Sequence, residues 1–184
     1  MGNPLRDRRT AAEWASAGQV IEIAEKLGSF KQLALIVEAD LAALDAVKIP
    51  PDWRDSVIAG SLEFGFADAQ RRLPAAHCRV TVVVDAVCQR CLEAFRLPLE
   101  TEAKLLLLAL EETAEGFEDH EVWELDESTL RPQDIVEELL IMALPFSAMH
   151  VDSASCKALS PAADDKEDTT KPFAALRAQM TQDQ

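Results

Sequence analysis

Cys88-Gln89-Arg90-Cys91-Leu92-Glu93-Ala94-Phe95 lies between two runs of alternating apolar residues, and the fold is read outward from it. Upstream, Val80, Val82 and Val84 share one face; downstream, Phe95, Leu97, Leu99, Ala103, Leu105 and Leu107 repeat at every second position or multiples of it. A period of two belongs to a strand, whose successive side chains point to opposite faces. The two cysteines therefore sit where one strand turns into the next. A thiol pair at such a turn is half of a tetrahedral metal site, if the chain supplies two further donors.

The same two residues read as a redox motif only if a helix follows, because a helix N-terminus is what lowers the pKa of the first thiol. Here a strand pattern follows Cys91, and thiol-disulfide chemistry is disfavoured. For zinc, the candidate partners are His150 and Cys156, just past the proline at position 145. A loop leaving a helix can return to the tip of a hairpin, so Cys88, Cys91, His150 and Cys156 form the candidate structural zinc set. Ordinary loop residues are the competing reading. Cys78 lies on the face of the Val80 to Val84 run and reads as a small buried hydrophobe.

Three period-two runs succeed one another without helical insertions: one around Ile58, Leu62, Phe64 and Phe66, then the two flanking the cysteines. That describes an antiparallel meander. Gly60 interrupts the first run and predicts a bulge or a close backbone approach. A polar turn is expected over 71–77, and short strands over 20–24 and 122–125. Leu33, Ile36, Val37, Leu41, Leu44 and Val47 recur at helical spacing behind a capping-box pair, Ser29 and Gln32, and end before Pro50-Pro51. A second helix starts near Pro132, carries Ile135, Val136, Leu139, Leu140 and Ala143, and stops before Pro145. The predicted fold class is α+β: an antiparallel β-meander or partly closed barrel with two packed helices and a flexible C-terminal tail. The expected division is a weakly ordered segment over 1–18, one domain over 19–156, and a tail over 157–184. In that tail Phe173, Leu176 and Met180 have the spacing of a short terminal helix.

The chain has 184 residues, 48% of them hydrophobic, with 33 acidic against 18 basic residues and a net charge of -15. No apolar run approaches the ~20 residues of a membrane helix, and the basic start has no apolar segment behind it, so a cytoplasmic protein with reduced thiols is expected. The acids are densest in 111–127, where nine occur with no Lys or Arg. Such a run repels phosphate and attracts basic proteins, or simply keeps a loop solvated. Only three histidines occur, none in a G-x-S-x-G or H-E-x-x-H context, and the six glycines are dispersed, so no phosphate loop is present. A non-enzyme is expected. Arg71, Arg72, Arg79, Arg90 and Arg96 could gather into a basic edge or merely solubilise one.

Taken together, C-Q-R-C-L-E-A-F, the helix ending I-V-E-E-L-L-I-M-A-L-P, the H-x5-C that follows, and the terminal K-P-F-A-A-L resemble the YceD family, the large ribosomal RNA subunit accumulation proteins of bacteria and plastids. The resemblance runs from about Val80 to Met180. It implies a non-enzymatic factor for synthesis, processing or stability of large-subunit ribosomal RNA. Some relatives carry cysteine where this chain has His150, which keeps ligand capacity at that position. The implied partner is a large-subunit precursor, reached through a basic ribosomal protein or a processing factor, with no membrane and no small-molecule substrate. Candidate partner contacts are Arg90 and Arg96 beside the turn, and Phe173 and Leu176 in the tail. A zinc- or thiol-dependent enzyme is the alternative of a different class.

Overall fold

The structure is a computed structural model that describes residues 2–110, 112, 116–125, 128–150 and 156. The tail over 157–184, with Phe173, Leu176 and Met180, lies outside the described residues. Among the described residues five strands form one sheet: β1 (Val20–Lys26), β2 (Val57–Phe66), β3 (Pro74–Val87), β4 (Ala94–Ala109) and β5 (Glu121–Leu125), in spatial order β1-β2-β3-β4-β5. The first four are antiparallel neighbours. The meander is thus present, and β3 and β4 pair continuously from Ala75↔Leu106 to Val87↔Ala94.

Two features of the expected sheet are corrected. β5 pairs with β4 in parallel, from Leu105↔Glu121 to Ala109↔Leu125, so the sheet is mixed. A parallel neighbour needs a connection that carries the chain back to the start of its partner's paired stretch. The acidic stretch after Ala109 makes that connection. The sheet is also open rather than barrel-like, with β1 and β5 as its two edges.

Among the described residues three α-helices accompany it, one more than the two packed helices expected of the domain: α1 (Ala11–Ala17), α2 (Lys31–Leu41) and α3 (Pro132–Met142). The expectation of weak order over 1–18 is corrected by α1. Thr10 and Glu13 form its capping box, the hydroxyl accepting from the Glu13 N–H and the carboxylate accepting from the Thr10 N–H. Trp14 is fully buried and stacks on Phe64 with ring centroids 5.0 Å apart. Arg9 and Leu130 exchange backbone hydrogen bonds and fasten this segment beside the start of α3.

At α2 the expected Ser29–Gln32 capping box is absent. The Ser29 hydroxyl donates back to Lys26 O, and the residue before the helix is Phe30. The orphan N–H groups of Gln32 and Leu33 instead donate to one carboxylate oxygen of Glu137 in α3, at 2.6 and 3.0 Å. α2 is also shorter than its apolar pattern implied, ending at Leu41.

Trp14, Leu33, Val37, Ile135, Val136 and Leu140 from the helices meet Ile21, Ile23, Leu62, Val80, Val82 and Leu105 from the strands in one core cluster. A second, smaller cluster of Ala75, Leu106 and Leu108 is covered by Ala67, Leu73 and Phe117. Gly60 makes the expected close approach: a Cβ there would lie 2.0 Å from the Arg79 carbonyl oxygen. β3 begins at Pro74, so the polar turn expected over 71–77 is cut short. Pro fits the first residue of a strand, where it has no ladder hydrogen bond to lose.

Candidate metal centre

The hairpin joining β3 to β4 closes over six residues, 88–93. Cys88 N–H donates to Glu93 O at 3.0 Å, and Leu92 N–H donates back to Cys88 O at 2.8 Å. Leu92 adopts a left-handed conformation, φ 57°, an arrangement that costs a branched residue on the order of 1 kcal/mol and persists when its surroundings enforce it. The tight loop turns Cys88 and Cys91 to the same side.

The second half arrives from α3. After Met142 the chain keeps Leu144 against the main core, and at Ala148 its carbonyl accepts the Gln89 N–H at 2.9 Å. His150 follows two residues later. The structure brings together all four expected donors: one ligand atom from each of Cys88, Cys91, His150 and Cys156, all within 4.8 Å of one another. Cys88 Sγ and Cys156 Sγ are 3.7 Å apart, as are Cys91 Sγ and His150 Nδ1. A disulfide would hold two sulfurs at about 2.05 Å, and the four cysteines are free. Four donors on an ion with Zn–S near 2.3 Å and Zn–N near 2.05 Å would be separated by about 3.6–3.8 Å along tetrahedral edges. The donor types and the two 3.7 Å separations fit a metal of that kind, within a set whose members lie no more than 4.8 Å apart.

Cys88, Cys91 and Cys156 are buried and His150 half-buried, and Phe95 packs on the sulfurs and against the imidazole with centroids 4.7 Å apart. Burial pushes the Cys88 thiol up, but N–H groups of His150, Arg90 and Cys91 and the His150 side chain together outweigh it, bringing the pKa down to about 5. For Cys156, burial is the largest cause and hydrogen bonds and charge from Cys91 and Cys88 add to it, raising the thiol to about 11. His150, with the hairpin N–H groups of Arg90 and Cys91, favours the Cys88 thiolate, whereas Cys156 beside it resists ionising. A divalent cation at the centre would remove that resistance, since it inverts the charge logic around it.

Cys78 stays apart. It sits in the main core with no exposed surface, and burial pushes its thiol up to about 12. His77 and His120 are hydrogen-bonded to Glu102 and Asp119, away from the cluster. The five arginines do not form one edge. Arg71 and Arg72 occupy the turn before β3 and Arg90 the turn after it, roughly 40 Å apart at ~3.3 Å per strand residue. Arg79 pairs with Glu102, and Arg71 stacks over Phe66. Arg90 lies 3.9 Å from Met149 Sδ, and Arg96 stands opposite Asp85 in the β3–β4 ladder.

Sequence reasoning missed Asp40, whose carboxylate accepts the Val87 N–H at 2.7 Å immediately before the first cysteine. Nothing in the local pattern of α2 marks that role, since the partner is 47 positions away. It also missed Phe146, fully exposed on the segment between α3 and His150.

Residues 76–178 match the family model described as large ribosomal RNA subunit accumulation protein YceD. The chain belongs to the YceD family. The matched region is more than half of the sequence and contains β3 from Ala76 onward, β4, α3 and all four donors of the Cys/His cluster. No curated protein and no solved structure matches the chain. Among the described residues no helix is long and apolar enough to cross a membrane.

Proposed function

We propose that this YceD-family chain is a non-enzymatic factor that promotes synthesis, processing or stability of large-subunit ribosomal RNA, working in the cytoplasm on a ribosomal precursor. The observation that carries this reading is the family match over 76–178, which takes in the hairpin, α3 and the Cys/His cluster. Zinc, when bound by Cys88, Cys91, His150 and Cys156, supplies a structural cross-link between the β3–β4 hairpin and the segment leaving α3. Three mostly buried thiols and one imidazole make a closed set of four, the pattern of structural rather than catalytic zinc, which keeps a position open for substrate. That chemistry supports a scaffold over a zinc- or thiol-dependent enzyme.

Charge supports an indirect route to RNA. With a net charge of -15, the chain repels a polyanion whose proteins bind largely through Lys and Arg. A basic ribosomal protein or processing factor meets no such barrier. Depletion of the chain from its own cells, followed by quantification of large- and small-subunit ribosomal RNA, tests the reading. A selective fall in large-subunit RNA is expected, with the chain sedimenting beside large-subunit precursors in extracts. An unchanged subunit ratio would overturn it.

A further inference from the structure

Beside the metal centre lies a small apolar groove that none of the chemistry above uses. Its walls are Ile36, Val37 and Asp40 of α2, Val84 and Leu97 of the β3–β4 ladder, and Leu144 to Phe146 of the segment leaving α3. The cavity is about 140 Å³. A space of roughly 150 Å³ accepts one benzene ring, so the groove has room for a single aromatic or large aliphatic side chain. Phe146 stands at its rim fully exposed, and Ile36 is 41% exposed. An exposed aromatic next to an apolar slot is the usual composition of an anchor point in a protein interface.

The groove wall is held in place. Leu144 is packed on the main core, Ala148 O accepts the Gln89 N–H, and His150 belongs to the donor cluster. Phe146 sits between these attachments, so a partner meets a preformed surface and pays little ordering entropy. The polar side of the groove is acidic. Asp40 is next to last in α2, whose final turn contains no basic residue, and the carbonyls at a helix C-terminus carry partial negative charge. The whole chain adds its net negative charge to that local field.

We infer that this groove is the docking site for a basic protein segment, one apolar side chain seated in the slot against Phe146 and flanking Lys or Arg residues facing Asp40 and the end of α2. The inference rests on the proposed role in large-subunit biogenesis for the choice of partner, and names the surface by which that partner is held.

The test uses the full chain and short overlapping peptides that tile the basic large-subunit ribosomal proteins, with binding read by fluorescence anisotropy. Retained peptides are expected to carry Leu, Ile or Phe between Lys or Arg residues, and to bind more weakly as salt rises. Phe146→Ala should lower their affinity about tenfold or more without moving the melting temperature, because the exposed ring contributes no core packing. Ile36→Ser provides the same test from the opposite wall. Retention of no peptide, affinity unchanged in both variants, or displacement of the peptides by large-subunit RNA fragments would each overturn the docking site. The two readings fail separately: loss of large-subunit RNA on depletion with no peptide binding removes the groove alone, whereas peptide binding with unchanged RNA removes the biogenesis role.

Discussion

Gly60 lies in the middle of β2, between Ile23 of β1 and Val80 of β3. A methyl group there would be pushed into the Arg79 carbonyl and against Val80, both backbone of a central strand. Gly60→Ala is therefore expected to cost about 3 kcal/mol, the upper end for overpacking, read as a lower midpoint in urea. Cysteine substitutions should separate by position. Cys78→Ala removes one buried sulfur from the core and is expected to cost on the order of 1 kcal/mol while leaving metal binding intact. Asp85 supplies the pH dependence. Burial is the main cause that raises its carboxyl; Arg96 opposes this and Asp52 adds to it. A carboxyl raised in the folded state destabilises the fold once ionised, and that cost vanishes as pH falls below the ordinary value of 3.8. Asp85→Asn should raise the melting temperature at neutral pH, with the gain shrinking on acidification. A gain that grew with acid would contradict the assignment.

At the scale of elements, α2 and α3 are joined through one carboxylate. Glu137 caps α2 from outside, and the Gln133 side-chain amide donates to Ser29 O at 2.8 Å. Glu137→Ala leaves two helix N–H groups unpaired and should cost about 1–2 kcal/mol in urea denaturation, with Glu137→Gln recovering part of it. This tie was not legible in the sequence, because Ser29 and Gln32 satisfy a local rule that the tertiary partner overrides. The longer strands were legible, since Val80, Val82 and Val84 alternate cleanly and only one face of the sheet meets the main core. α1 escaped because seven residues are too few to show a helical period; Thr10 and Glu13 at capping-box spacing were the available signal. The direction of β5 was not legible either. A five-residue strand carries no mark of orientation, which depends on the route the acidic connection takes. The four residues of the Cys/His cluster were legible as a candidate set from residue type and from the positions of two chain reversals, whereas Asp40 and Phe146 depend on packing between distant elements.

Across the whole molecule, the Cys/His cluster and the main core are separate bodies of packing. Cys88, Cys91 and Cys156 cluster with Phe95, apart from the residues around Trp14 and Leu62. Metal removal should therefore leave the helix and strand content of the far-ultraviolet spectrum nearly unchanged. The loosened region should be the junction between hairpin and α3, seen as faster hydrogen exchange at the Gln89 and Leu92 amides, which are bonded to Ala148 O and Cys88 O. Loss of the whole fold on chelation would mean that the metal organises the core itself. Because the junction also shapes the groove, the central claim is that a metal clamps these two segments. Its most direct test is the zinc-to-chain ratio of protein purified without added metal, measured beside Cys88→Ser and Cys78→Ala. Equimolar zinc in the wild type and in Cys78→Ala, lost in Cys88→Ser, is the expected result. Metal-free wild-type protein with all four thiols open to titration after unfolding, and with a melting temperature indifferent to added zinc, would contradict it.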